Sequence, residues 1–306
     1  MEVVLVLNTG AVTLTRRRQR SVHIASFVFL VPALFFLSVF VAYPIISSFH
    51  ISMFSWSGIA PDRTFIGLAN WQELVRDDVF WLAFRNNLTL VVLSLIFQVP
   101  FALALATFLD AGGRKFNIFK VVWFLPLLMS TVAVGFLFRF GLNPHFGIIT
   151  FFSNLFGGGP IDLLGHPDRA LFTVIGVIAW RFIPFYMVLY LAGYSNLPEE
   201  TYEAAIIDGA SRGQYFWRVA LPLLFPTIRN GAVLSIVGSM SFFDLIFVMT
   251  GGGPGHASEL MATYMYRNAF VILRMGYGST IASAMFILIT LISLTVIRLL
   301  SRKEAY

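Results

Sequence analysis

The chain has 306 residues, 58% of them hydrophobic and only 12% charged, with a mean hydropathy of +0.81. Average soluble domains carry roughly a quarter charged residues, so a water-soluble globule of this composition lacks the polar surface to cover itself and a bilayer is the medium that suits it. The absence of cysteine excludes disulfides, thiolate metal sites and thiol nucleophiles, and the net charge of +6 is not a nucleic-acid footprint, because the basic residues sit at the ends of apolar segments.

Residues 1–23 form a tail that opens with the short apolar run Val3 to Leu7. This run is too short to span and lacks the basic region that precedes the apolar part of a signal peptide. It reads as a disordered tail or the product of an over-early start codon. A spanning helix needs about 20 mostly apolar residues. Six stretches within a membrane domain at 24–303 qualify: 27–48, 88–109, 118–140, 171–193, 227–249 and 280–300. The expected fold is therefore all-α, a polytopic membrane protein with six transmembrane helices. Pro100, Pro126 and Pro184 fall inside these stretches, and membrane helices tolerate them where neighbours re-satisfy the backbone.

Arg and Lys orient the set, because cytoplasmic flanks carry the positive excess. Arg16, Arg17, Arg18 and Arg20 precede the first stretch, and Arg114, Lys115 and Lys120 lie around the second-to-third connection. Arg212, Arg218 and Arg229 lie around the fourth-to-fifth, and Arg298, Arg302 and Lys303 at the end. The opposite side carries Arg63, Arg76, Arg85, Arg139, Arg169, Arg267 and Arg274, spread over loops of about 37, 30 and 30 residues where about 4–6 is usual. Both termini are expected in the cytoplasm. In the outer loops Gly157-Gly158-Gly159-Pro160 and Gly251-Gly252-Gly253-Pro254 mark sharp turns. His145, His166 and His256 lie in separate outer loops without metal-ligand spacing, so no metal site is expected.

Two charges fall inside the apolar stretches, Arg181 near the middle of the fourth and Asp244 in the outer half of the fifth. An ionisable group at that depth costs roughly 3 kcal/mol or more when isolated, which makes it a functional candidate. The two stretches run in opposite directions, and a rise of about 1.5 Å per residue brings the charges within about a turn of each other in depth. They can pair across the helix interface, line a polar cavity, or only fix helix packing.

The cytoplasmic connection at 195–225 has the pattern of a helical hairpin. Asn196-Leu197-Pro198-Glu199-Glu200 reads as a helix start, with Asn as cap, an early Pro and acids in the first turn. The helix runs through Glu203-Ala204-Ala205-Ile206-Ile207 and stops at Gly209. Ser211 with Gln214 three residues on is a capping box for a second short helix, which Leu221-Pro222 is expected to close. A short helix with small Ala residues suits docking into a partner's groove; an ordinary interfacial loop has the same pattern.

Glu203-Ala204-Ala205, then Asp208-Gly209-Ala210, then Val219-Ala220-Leu221-Pro222 resembles the EAA loop of ABC importer permeases, with Val219 where Ile is usual. Gly67-Leu68-Ala69-Asn70-Trp71, Thr250-Gly251-Gly252-Gly253-Pro254, Tyr264-Met265-Tyr266, Ala269-Phe270 and Gly276-Tyr277-Gly278 extend the resemblance to the carbohydrate-uptake branch, the type of maltose and glycerol-phosphate permease subunits, from about residue 24 onward. The resemblance implies the type I importer permease fold in a bacterial inner membrane. It implies a second homologous permease subunit, an ABC ATPase dimer and an extracytoplasmic solute-binding protein as partners, beside membrane lipid. It also assigns ATPase coupling to Glu203, Ala204, Ala205, Asp208, Gly209, Ala210, Leu221 and Pro222. It places Arg181, Phe182, Phe185, Ser239, Ser241 and Phe242, with Asp244 beside them, on the pathway of a sugar or sugar-like solute, since aromatic faces with hydrogen-bonding groups suit sugar rings. The chain has no G-x-x-x-x-G-K-[ST] phosphate loop. It is therefore expected to be a transport subunit without a catalytic site or bound cofactor, and ATP-Mg belongs to the partner ATPase. The alternative is a self-contained secondary transporter; no internal repeat of the kind many such transporters carry stands out.

Overall fold

A computed structural model of the chain describes residues 16–301, with side chains from Phe27 to Leu299 apart from Arg114. The expectations for residues 1–15 lie outside the described residues. The chain forms two units, residues 1–50 and 51–306. The described residues of the first form one helix, Arg16–Leu37, continuing through a π-turn at Ser38–Ala42 into Tyr43–Ile51. The wide turn falls just before Pro44, whose missing N–H interrupts the helical ladder. Within this helix Phe27–Ile51 is long and apolar enough to cross a membrane.

Four helices of the second unit also pass that test: Asp78–Ala111, Pro167–Ser195, Arg212–Met249 and Met275–Leu299. They extend beyond the apolar stretches because their polar ends are capped rather than buried. Asp77 accepts hydrogen bonds from the backbone N–H of Val79 (2.9 Å) and Phe80 (3.2 Å) and starts the second helix well before its apolar part. His166, with Pro167 after it, starts the fourth in the same way.

The third stretch is not the continuous helix expected over 118–140. It consists of two helices, Asn117–Leu128 and Thr131–Gly141, bent by 90°. Met129 and Ser130 between them have extended backbones. A break at membrane depth frees carbonyls that hydrocarbon cannot satisfy, and an arginine from the fourth helix satisfies them, as described below. The hairpin expected at 195–225 is corrected at two points. Asn196 is the C-cap of the helix Pro167–Ser195 and not the N-cap of the next, where Pro198 occupies the cap position of Glu199–Ile207. Leu221-Pro222 does not close the short helix, because a π-turn at Phe216–Ala220 carries Arg212–Tyr215 directly into Leu221–Met240. Pro222 thus lies inside a continuous helical run, and its missing N–H interrupts the ladder just after the π-turn.

The second and fourth helices pack through small and aromatic residues, Ala102 and Ala106 lying in one buried cluster with Tyr186, Met187 and Tyr190. Gly231 lets the fifth helix approach Tyr190, since a Cβ there would sit 2.5 Å from the phenolic oxygen. Outside the helices, Phe54–Ser55 and Thr64–Phe65 form a minimal antiparallel pair. The Asn70 amide donates to the carbonyls of Ser52 (2.8 Å) and Phe54 (3.0 Å) beside it. The Gly-rich turn after the fifth helix has positive φ at Gly251 (61°) and Gly252 (87°).

Candidate transport cavity and coupling surface

A cavity of about 410 Å³ lies between the fourth and fifth helices. It gathers residues that are far apart in sequence: Phe182, Phe185, Ser239, Ser241, Phe242 and Asp244 all line it. The aromatic walls are ordered by edge-to-face contacts, Phe182 against Phe242 at 5.9 Å and Phe185 against Tyr186 at 5.2 Å. The fifth helix opens at Ser241–Phe243, between Leu221–Met240 and Asp244–Met249, which brings Ser241 and Asp244 to the cavity. Sequence reasoning missed Gln98 and Tyr186 in the lining. Gln98 is held by a bond to the Ser94 hydroxyl (3.0 Å), which also accepts from Ser239 (3.3 Å). A lone Gln in an apolar stretch is the signal that could have found it, since a buried amide needs partners.

Arg181 is not in this lining. It is 7% exposed, and its guanidinium points to the break in the third span. It donates to the carbonyls of Pro126 (2.9 Å) and Met129 (2.6 Å) and to the Thr131 hydroxyl (2.9 Å). A cation at the carboxyl end of Asn117–Leu128 meets the negative pole of that helix as well as its unpaired carbonyls. Asp244 acts on Arg181 only at longer range, and among the described residues the two form no ion pair. Each of the two charges flagged in the sequence thus has its own surroundings, one in a protein-lined break and one facing a cavity.

On the hairpin, Glu199–Ile207 is a helix with no buried residue. It ends as its sequence dictates: Gly209 has φ +75°, its N–H bonds to Ile206 (2.9 Å) and the N–H of Ala210 bonds to Ala205 (2.9 Å). This is the paired bonding of a helix stop that needs a left-handed residue. The capping box at Ser211 and Gln214 is present in both directions. Glu203, Ala204, Asp208, Gly209 and Pro222 are exposed, whereas Ala205, Ala210 and Leu221 are half-buried. Beside them Ile206 (54% exposed), Ile207 (84%) and Trp217 (68%) present apolar side chains. Ile206 and Ile207 were not singled out in the sequence, because a run of two apolar residues at a helix end reads equally as core.

Residues 98–306 match the model of the binding-protein-dependent transport system inner membrane component family. The chain is 37% identical over 275 residues to a probable ABC transporter permease protein, YurN, of Bacillus subtilis, covering 89% of this chain and 94% of that one. It is 32% identical over 280 residues to the arabinooligosaccharides transport system permease protein AraP of the same organism, covering 90% and 88%. Among solved structures, a bacterial alginate ABC transporter in complex with an alginate pentasaccharide-bound periplasmic protein superposes with a TM-score of 0.77 at 23% identity, covering 94% of this chain and 96% of that one. Five apolar helices and a sixth broken in two among the described residues, a hairpin that carries the EAA pattern, and these matches together show that the protein is a multi-pass inner membrane permease of the binding-protein-dependent ABC importer family.

Proposed function

We propose that the chain forms half of the translocation pathway for a sugar or sugar-like solute, with Glu199–Ile207 as the element that receives the force of ATP hydrolysis. The observation that carries this reading is the coupling helix itself, whose exposed face combines Glu203 with Ile206 and Ile207. Apolar side chains so exposed next to a charge suit burial against a protein partner. The partner is one subunit of an ABC ATPase dimer that binds ATP-Mg. The second half of the pathway comes from a homologous permease subunit, and solute arrives on a binding protein outside. In this arrangement both termini and the hairpin face the cytoplasm, as the Arg and Lys distribution requires.

The cavity supports the transport half of the reading. Asp244 is exposed and, among the described residues, forms no ion pair. At membrane depth such a carboxylate is tolerable facing a water-filled passage. Phe182, Phe185 and Phe242 offer ring faces, and Ser239, Ser241 and Gln98 offer hydrogen bonds, which is the combination a saccharide uses. Arg181 serves the pathway indirectly by bracing the broken third span that packs against the fourth. The arabinooligosaccharides of the AraP system and the alginate of the structural neighbour are saccharides as well. The test is assembly of the complete complex and measurement of ATP hydrolysis stimulated by the binding protein. Normal stimulation and uptake after Glu203→Ala and Gly209→Val would remove the coupling role.

A further inference from the structure

The cavity carries information about which solutes it passes, and this inference rests on the transport reading above. Among the described residues its lining holds one formally charged residue, Asp244, and no Lys, Arg or His. The cation expected nearby from the sequence, Arg181, lies outside the lining, behind the Phe182 wall at 5.7 Å from its ring. It is committed to the Pro126 and Met129 carbonyls and the Thr131 hydroxyl and reaches Asp244 only at longer range. The remaining lining is apolar or uncharged, with Phe182, Phe185, Phe242 and Phe243 forming low-dielectric walls. Such walls focus the field of the one charge that faces the space between them, and Arg181 behind Phe182 offsets only part of it.

We infer that Asp244 makes this half of the pathway an anion-excluding filter, so the solute is a saccharide without acidic groups, and phosphorylated or uronate sugars are rejected. The contribution is electrostatic and needs no direct hydrogen bond to solute. A neutral sugar gains the Ser, Gln and aromatic contacts without opposing the carboxylate. A phosphate or uronate must approach a like charge with no cation in this lining to offset it.

The chain contains no cysteine, so a single one can be introduced as a reporter of local potential. In the assembled importer, Ser241→Cys is treated with two methanethiosulfonates of similar size, one trimethylammonium and one sulfonate. Modification of this chain is followed by its mass. Leu234→Cys, at an exposed position of the same lining, repeats the measurement if the first variant does not assemble. Relative to a free thiol, the cationic reagent is expected to react about ten-fold faster than the anionic one, the effect of one charge a few ångströms away in a largely aqueous space. Asp244→Asn should bring the ratio close to the free-thiol value, and Asp244→Glu should keep it. A ratio at or below the free-thiol value, or one unchanged by Asp244→Asn, overturns the inference, as does uptake of an acidic sugar delivered by the cognate binding protein. The ratio reports on the cavity whether or not the complex transports, so failure of the importer reading would appear separately, as absent uptake of any binding-protein ligand.

Discussion

The helix Glu199–Ile207, proposed above as the coupling element, and the Gly-rich loop that follows Met249 sit beyond opposite ends of the fifth helix, and they treat burial in opposite ways. Glu199–Ile207 buries none of its residues. In the Gly-rich loop Ser258, Glu259, Leu260, Met261 and Thr263 are all buried, and most of their polar groups are met from within the chain, one Glu259 carboxylate oxygen excepted. Glu259 is bonded to His256 (2.9 Å) and Arg267 (3.2 Å). Ser258 reaches Thr250 (2.8 Å) and the Gly253 carbonyl (2.5 Å). Asn86 and Asn87 of the second helix tie the loop down, the former to the Ala257 and Glu259 carbonyls, the latter to the N–H of Met261 and the carbonyls of Ser239 and Met240. A loop that meets most of its polar groups from within the chain holds its shape by itself. A helix that leaves Ile206 and Ile207 in the open offers a surface for the partner proposed above. Substitutions in the first region should therefore damage folding, and substitutions in the second should damage assembly and coupling.

The largest effect on folding is expected at Gly252. Its φ is +87°, and a Cβ would lie 2.6 Å from the Glu259 carboxylate. Gly252→Val combines backbone strain with displacement of a buried carboxylate, a loss of about 3 kcal/mol or more, and should abolish accumulation in the membrane. Next comes the brace in the third span. Arg181→Ala leaves buried carbonyls without a donor, which costs about 2–3 kcal/mol for bonds of this charged kind, so the melting temperature and membrane level of the protein should fall. Asp244→Ala, facing the cavity, should leave both unchanged while altering transport. Equal losses of protein for the two variants would erase the distinction between brace and cavity residue.

On the coupling side, Gly209→Val forces a side chain into the left-handed region, a local strain of about 1–2 kcal/mol. The protein should accumulate, but binding-protein-stimulated ATP hydrolysis and uptake should be lost, because the helix exits in the wrong direction. Glu203→Ala should leave stability within about 0.5 kcal/mol of the parent and weaken coupling only a few-fold, since one charge-assisted contact is removed. Reduced membrane levels for both would show that the hairpin is part of the fold and not a docking surface.

The smallest effect concerns pH. Burial by itself would raise the Asp77 carboxyl, but the hydroxyls of Tyr277 and Tyr264 and the N–H groups of Phe80 and Val79 outweigh it and hold the group below its ordinary 3.8. A depressed carboxylate contributes stability above its unfolded value and loses it as pH falls through the folded one. The outer face should thus weaken only below about pH 4, and Asp77→Asn should flatten that response in thermal melts.

Much of this was legible in the sequence where local rules decide. The six apolar stretches, the left-handed Gly209, the capping box at Ser211 and the glycine turn at 251–253 all follow from composition and turn chemistry within a few residues. The clustering of Phe182 and Phe185 with Ser239, Ser241 and Phe242 came from family resemblance, because residues more than 50 positions apart meet only through packing. The break at Met129 and Ser130 was hidden, since Pro126 alone is tolerated in a membrane helix. The informative residue was Arg181, 52 positions from Met129, whose partners could not be guessed from spacing. Asn196 misled because Asn is at home at either end of a helix, and here it closes the preceding one.

The account rests most directly on what covers Ile207. With no native cysteine in the chain, Ile207→Cys provides a single site for a short bifunctional cross-linker in the assembled complex in native membranes. The expected result is one cross-linked product, containing this chain and the ATPase, formed when reagent is supplied from the cytoplasmic side. A product with the binding protein, or labelling of Ile207→Cys only from outside, would contradict both the orientation and the coupling role.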